Sequence, residues 1–198
     1  MDVPQDLIER LQNKDPGAYQ EFMTRFGRRL LNFGVRMCGD REDAKEVVQD
    51  TLLKTFQSVH ELKSREAFAG WLYRIATNAC LMRRRKSQFL KEEISLDEAM
   101  PDRGALASPL PWSRLPDQAV LDSEVRDHIR RAVLALPDGY KSVLVLRDLE
   151  GMDTEEVAQA LGLSKDVVKM RLHRARAKVR NELEAYLRAH PAEPQNAP

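Results

Sequence analysis

"DTEEVAQALGLSKDVVKMRLHRARAKVR", residues 153–180, decides the fold of this chain. It reads as two helices joined by a tight turn. Asp153 with Glu156 three residues later forms a capping box with Asp in the place usually held by Ser or Thr. Gly162 supplies the left-handed position that ends the first helix, and Ser164 caps the second. Ala158 is small enough for the two helices to approach closely, while Val157, Leu161, Val168 and Leu172 give them a shared core. This is helix-turn-helix grammar.

A wheel at about 100° per residue, with Lys165 at zero, gathers Val168, Leu172, Ala175 and Val179 on one face. Met170, His173 and Arg174, with Asp166 and Ala177, point the other way. Lys169, Arg176 and Arg180 flank that outward face on one side, and Arg171 and Lys178 on the other. Residues 164–180 hold seven Lys and Arg against one acid, Asp166, although the 198-residue chain has a formal net charge of only +1. Two basic flanks around a mixed centre suit a helix in the DNA major groove, with phosphates neutralised on both walls and base edges read between them.

Outward from this stretch the chain remains helical. "QDLIERLQN", "GAYQEFMTRFGRRLLNFGVRMC", "REDAKEVVQDTLLKTFQSV" and "REAFAGWLYRIATNACLMRRRK" carry apolar residues at three- and four-residue spacing. Breaks are expected at "KDPG", "CGDRED" and "HELKSR", with a helix start near Asp40, and the region reads as a helical bundle. Helical pattern resumes in "LDSEVRDHIRRAVLAL", stops at Pro137 and returns in "GYKSVLVLRDLEG". Between the two blocks, "EEISLDEAMPDRGALASPLPWSRLPDQ" has four prolines and no sustained period. From Lys91 to Glu124 the chain holds eight acids and three bases, so an acidic linker is flanked by basic helices.

Composition excludes several classes. The two cysteines, Cys38 and Cys80, lie far apart without CxxC spacing, which supports neither a disulfide framework nor a zinc site. No apolar run approaches the roughly 18 residues of a membrane span. A soluble, cytoplasmic protein is the expectation. The carboxylates form no clear metal constellation, and Cys38, Cys80, His60 and His173 form no compact nucleophile or ligand motif, so an enzyme acting on nucleic acid lacks support. A two-domain regulator with a ligand-sensing or dimerising N-terminal bundle is the main rival, and it would bind its DNA site unaided.

The segment "ALPDGYKSVLVLRDLEGMDTEEVAQALGLSKDVVKMRLHRARAKVR" resembles region 4 of a bacterial sigma factor, and "DAKEVVQDTLLKTFQSVHELKSREAFAGWLYRIATNACLMRRRK" resembles region 2 of the same proteins. Both motif sets stand in family order around a proline-bearing linker. The short length, without regions 1.1 and 3, points to the extracytoplasmic-function (group 4) members of the sigma-70 family. The resemblance implies an all-α fold of two small helical domains joined by a flexible linker: region 2 over 1–91, an acidic linker over 92–118, region 4 over 119–189 and a disordered tail over 190–198. It implies a transcription initiation factor, without cofactor, metal, small-molecule substrate or enzyme activity. The expected partners are core RNA polymerase, at its clamp and flap, promoter DNA and an anti-sigma factor, with membrane association at most through the last.

Carried over by the family motifs, Glu46, Gln49 and Asp50 of "EVVQDT" form the clamp-binding edge. The minus-10 residues are Leu62, Lys63, Ser64 and Arg65 in the loop that with Asn78 receives a flipped base, together with Tyr73, Arg74, Arg83 and Arg84. Trp71 is assigned to the core. The family's minus-35 readers fall on Met170, His173 and Arg174, the three that the wheel turns outward. Arg174 is suited to guanine O6 and N7, and Met170 to a thymine methyl or sugar. Lys165, Lys169, Arg171, Arg176 and Lys178 are the phosphate contacts. The linker is expected to thread the polymerase cleft, and 27 extended residues reach up to about 90 Å.

Overall fold

The turn at residues 14–17 sets the first corner. Lys14 takes a left-handed conformation, Asp15 accepts from the Gly17 amide at 2.8 Å, and Pro16 starts the next helix with its φ already fixed. Arg10 clamps this corner from the preceding helix, donating to Asp15 at 2.7 Å and to Glu21 at 2.9 Å. Its guanidinium, with the Gly17 amide, holds the Asp15 carboxyl below its ordinary value.

The computed structural model describes residues 3–62, 64–88 and 123–190, with side chains up to residue 84 in the second stretch. The expected linker over 92–118 and the tail beyond His190 lie outside the described residues. Eight α-helices make up the described part: α1 (Gln5–Gln12), α2 (Pro16–Cys38), α3 (Arg41–Ser58), α4 (Phe68–Gln88), α5 (Ser123–Leu134), α6 (Asp138–Leu144), α7 (Thr154–Leu161) and α8 (Lys165–Ala189). The first four form the N-terminal bundle and the last four the C-terminal one.

In α2 the apolar stripe Phe22, Phe26, Leu30, Phe33 and Met37 recurs at three- and four-residue spacing and is wholly buried. Phe22 and Phe26 pack on Phe68 of α4 with centroids 6.1 and 6.0 Å apart. Gly34 lets α3 approach closely, because a Cβ there would stand 3.0 Å from the Ala44 Cβ. Asp40 caps α3 by accepting from the Glu42 and Asp43 amides. The buried hydroxyls of Thr51 and Thr55 donate one turn back to the Val47 and Thr51 carbonyls, so α3 buries them without orphaned donors. Alanines 69, 76 and 79 with Cys80 give α4 a slim inner face.

In the second bundle, α6 does not end cleanly. It runs into a π-helical turn over Val145–Leu149, closed by the Glu150 amide donating to the Val145 carbonyl at 2.9 Å. The widened turn swings Glu150 out of the bundle and against α2. Gly151, at φ 75°, then reverses the chain into α7.

The two bundles share one continuous apolar core, and their polar seam centres on Glu150. Its carboxylate, 3% exposed, accepts from the Tyr73 hydroxyl at 2.5 Å, from Arg36 at 2.7 Å and from Arg29 at 3.3 Å. Arg29 also donates to the Tyr73 oxygen at 2.9 Å and to the Glu150 carbonyl at 3.0 Å. Burial, then the hydrogen bond to Glu150, pushes the Tyr73 phenol above its usual range. At the far end of the seam Arg84 pairs with Asp138, Arg130 donates to the Gly39 carbonyl at 3.3 Å, and Leu134 packs against Gly39.

Glu150→Ala leaves the buried Tyr73 hydroxyl without its acceptor, while the half-exposed arginines recover water. We expect a loss of about 2 kcal/mol in denaturant unfolding and an increased radius of gyration by small-angle scattering. An unchanged radius would mean that the apolar contacts alone hold the bundles together.

Candidate promoter and polymerase interfaces

The helix-turn-helix is built as its caps dictate. Asp153 accepts from the Glu156 amide at 2.8 Å, and the Glu156 carboxylate accepts from the Asp153 amide at 2.7 Å, so the box is closed in both directions. Gly162 sits at φ 65°, and Ser164 accepts from the Val167 amide at 3.3 Å. Val168, Leu172, Ala175, Val179 and Leu183 of α8 are buried. Met170, His173 and Arg174 are exposed on the opposite side, and Arg174 carries no ion pair among the described residues.

The basic flanks of α8 are not equivalent. Lys169 is exposed and only loosely paired with Asp166 at 3.8 Å. Lys165 pairs with Glu155 across the turn, which raises the lysine's pKa and lowers that of the glutamate. Arg171 lies over the Tyr140 ring at 5.9 Å, and Lys178 is half-buried. Arg176 departs from the sequence expectation. It holds Asp148 through two bonds of 2.8 and 2.6 Å, with Asp148 mostly buried, and its guanidinium ties α8 to the π-helical turn instead of offering itself to a phosphate.

On α3, Glu46, Gln49 and Asp50 are all exposed. Leu53, 57% exposed, extends the same edge and was missed in the sequence reading. Its signal was available: it follows Gln49 by four residues and lies off the buried face of Val48, Leu52 and Thr55. Glu46 is engaged by Arg83, which also donates to Asp43 at 2.7 Å.

The minus-10 candidates divide three ways. Arg74 and Asn78 are exposed at successive turns of α4, and Met82, 62% exposed, continues their line. Ser64 and Arg65 are exposed in the loop, with Ser64 accepting from the Ala67 amide at 3.3 Å; Lys63 lies outside the described residues. Tyr73 corrects the sequence reading: it is 1% exposed, its ring packs on Phe33 and its hydroxyl is consumed by Glu150, so it offers no face to a base. Leu62 is likewise in the core at 8% exposure. Arg83 and Arg84 are held by carboxylates, Arg84 by one from the other bundle. Trp71 is partly buried against the core, as expected. It joins Glu66, Ala67, Gly70 and Arg74 in a cavity of about 170 Å³ whose opposite wall is Glu156 and Gln159 of α7.

The surfaces of α3, α4 and α8 fall within two recognised units. The Sigma-70 region 2 profile matches residues 22–89 and the Sigma-70 region 4 profile matches residues 126–179. The extracytoplasmic-function (ECF) RNA polymerase sigma factor SigW of Bacillus subtilis is 26% identical over 179 residues, covering 89% of this chain and 94% of that protein. The ECF RNA polymerase sigma factor SigE of Mycolicibacterium smegmatis is 30% identical over 177 residues, covering 89% of this chain and 64% of that one. The chain belongs to the ECF sigma factors of the sigma-70 family.

It is therefore a transcription initiation factor. Its fold is also that of CnrH, solved in complex with the cytosolic domain of CnrY, with a TM-score of 0.63 at 22% identity over 96% of this chain and 99% of that one. A second solved relative in fold is the sigma factor RpoE of Bartonella quintana in complex with the anti-sigma factor NepR, with a TM-score of 0.61 at 18% identity over 84% of this chain and 96% of that one. Among the described residues no helix is long and apolar enough to cross a membrane, and no cluster of His, Cys, Asp and Glu could hold a metal ion.

The Asp148 pair separates Arg176 from its basic neighbours. Arg176→Ala should lower unfolding stability by about 2 kcal/mol, because it strands a mostly buried carboxylate. Lys169→Ala, fully solvated, should leave stability within about 0.5 kcal/mol of the parent. Chemical denaturation of the two variants side by side checks this.

Proposed function

We propose that this sigma factor docks on core RNA polymerase through the α3 edge of Glu46, Gln49, Asp50 and Leu53, and reads the minus-35 element with Met170, His173 and Arg174. One observation carries the second part: three side chains of different chemistry stand exposed on one face of α8, while the opposite face is locked into the core. Such a helix has its depth and rotation fixed before it meets DNA. Arg174 addresses guanine in bidentate fashion, His173 a neighbouring base edge, and Met170 a thymine methyl. Lys165, Lys169, Arg171 and Lys178 neutralise the phosphates on either side, with Arg176 left out of the set.

In region 2 the minus-10 element is met by the exposed line of Arg74, Asn78 and Met82, with Ser64, Arg65 and Lys63 from the loop. Asn78 supplies both a donor and an acceptor for an extruded base, and Met82 is an apolar surface on which an unstacked base can rest. Arg83 and Arg84 take phosphates once Asp43, Glu46 and Asp138 release them. The cytoplasm is the place of this work, and an anti-sigma factor that covers the α3 edge and the region 4 surface is its inhibitor. The Bartonella sigma factor, solved in complex with the anti-sigma factor NepR, supports a partner of that kind. Membrane association arises only through such a partner.

A pull-down of purified bacterial core polymerase tests the docking edge. The parent chain should bind and the Gln49→Ala, Asp50→Arg double variant should not, with helical content unchanged. Failure of the folded parent to bind core would return the stand-alone regulator.

With reconstituted holoenzyme, Arg174→Ala should cost about 1–3 kcal/mol on the preferred minus-35 site and relax selectivity at one base pair. Lys169→Ala should weaken all sites evenly and reduce the salt slope by about one. Exchanged phenotypes would show that α8 enters the groove in another rotation.

A further inference from the structure

On α2, Arg25, Arg29, Asn32 and Arg36 follow one another at i, i+4, i+7 and i+11. At about 100° per residue all four fall within about 60° of one another, so they form a single row along the helix. The row is exposed, and Arg28, also exposed, stands beside it. Two of its arginines converge, with the Tyr73 hydroxyl of α4, on one carboxylate. Arg36 donates to Glu150 Oε1 at 2.7 Å, while Arg29 at 3.3 Å and the Tyr73 hydroxyl at 2.5 Å share Oε2. All three donors belong to region 2, and the anion that they hold belongs to region 4.

The donors are fixed by region 2 itself. Tyr73 is buried with its ring against Phe33, and Arg29 is tied to the Tyr73 oxygen at 2.9 Å. The carboxylate is sealed, yet the Arg29 and Arg36 side chains are 42% and 41% exposed, so the site opens along the arginine row. Beyond Glu150 the chain runs into α7, whose Glu156 and Gln159 face Arg74 of α4. Region 4 thus lies across region 2 with arginines of α2 at one end and an arginine of α4 at the other. A phosphodiester carries one negative charge over two free oxygens, as a carboxylate does, and it accepts the same charge-assisted bonds from arginine.

We propose that Arg29, Arg36 and Tyr73 form a binding site for a backbone phosphate of promoter DNA, extended along α2 by Arg25 and Arg28 and occupied by Glu150 while the bundles are closed. A carboxylate on the same chain competes at high effective concentration, so DNA gains the site only when region 4 leaves region 2. The inference rests on the chain's membership among the sigma factors, which bind promoter DNA. It is independent of which bases α4 and α8 read.

Two measurements test it. The first follows the anisotropy of a fluorescent single-stranded oligonucleotide with the free full-length chain, at helical content matched by circular dichroism. Glu150→Ala should bind at least about fivefold more tightly than Glu9→Ala, which removes an equal charge from α1, and its salt slope should be steeper by about 1.4, the value of two phosphates on a single strand. Adding Arg36→Ala to Glu150→Ala should take back about 0.7 of that slope. The second uses reconstituted holoenzyme with Glu150 intact. Arg36→Ala should lower the salt slope of the promoter complex by about one with base preference unchanged, and Arg36→Lys should restore it. The proposal is overturned if Glu150→Ala binds no more tightly than Glu9→Ala. It is equally overturned if Arg36→Ala leaves that gain intact, so that cations elsewhere on the seam carry it, or if the Arg36→Ala holoenzyme keeps the parent slope.

Discussion

A single buried carboxylate organises this molecule. Glu150 is carried by a π-helical turn of one bundle and is solvated by none of its own neighbours; its partners, Arg29, Arg36 and Tyr73, all belong to the other bundle. A carboxylate removed from water in this way is tolerable only while its hydrogen bonds are complete. The turn, the seam and the closed placement of the bundles are therefore one constraint. The widened turn that delivers Glu150 also places Asp148 for Arg176, so the seam and the foot of the recognition helix are set by the same five residues.

The closed seam and the proposed promoter surface draw on the same side chains. Arg84 cannot give the same donors to Asp138 and to a phosphate, and the wall that α7 forms with Glu156 and Gln159 stands beside Arg74 at the start of the α4 reading line. Glu46 at the proposed docking edge is held by Arg83 of α4. Most of these pairs are half-exposed and worth little individually. Glu150 is the exception, since of the seam's carboxylates it is the one nearly sealed from water, at 3% exposure against 22% for Asp138. The outer arginines can therefore be released one at a time, whereas separation of the bundles must rehydrate Glu150 and Tyr73 together.

The local rules were legible in the sequence because they act over three or four residues. Asp153, Glu156, Gly162 and Ser164 announced the helix-turn-helix, and the stripe of Val168, Leu172, Ala175 and Val179 fixed which face of α8 is buried. Tyr73, Arg176 and Glu150 were not legible for the same reason inverted: their partners lie 77, 28 and 121 positions away. An amphipathic tyrosine on a helix reads identically whether its hydroxyl meets a base or a distant glutamate. The basic flank of α8 looked uniform, since composition cannot tell a solvated lysine from an arginine already paired. Helical periodicity also concealed the π turn, whose one extra residue per hydrogen bond leaves no compositional mark in "VLRDL".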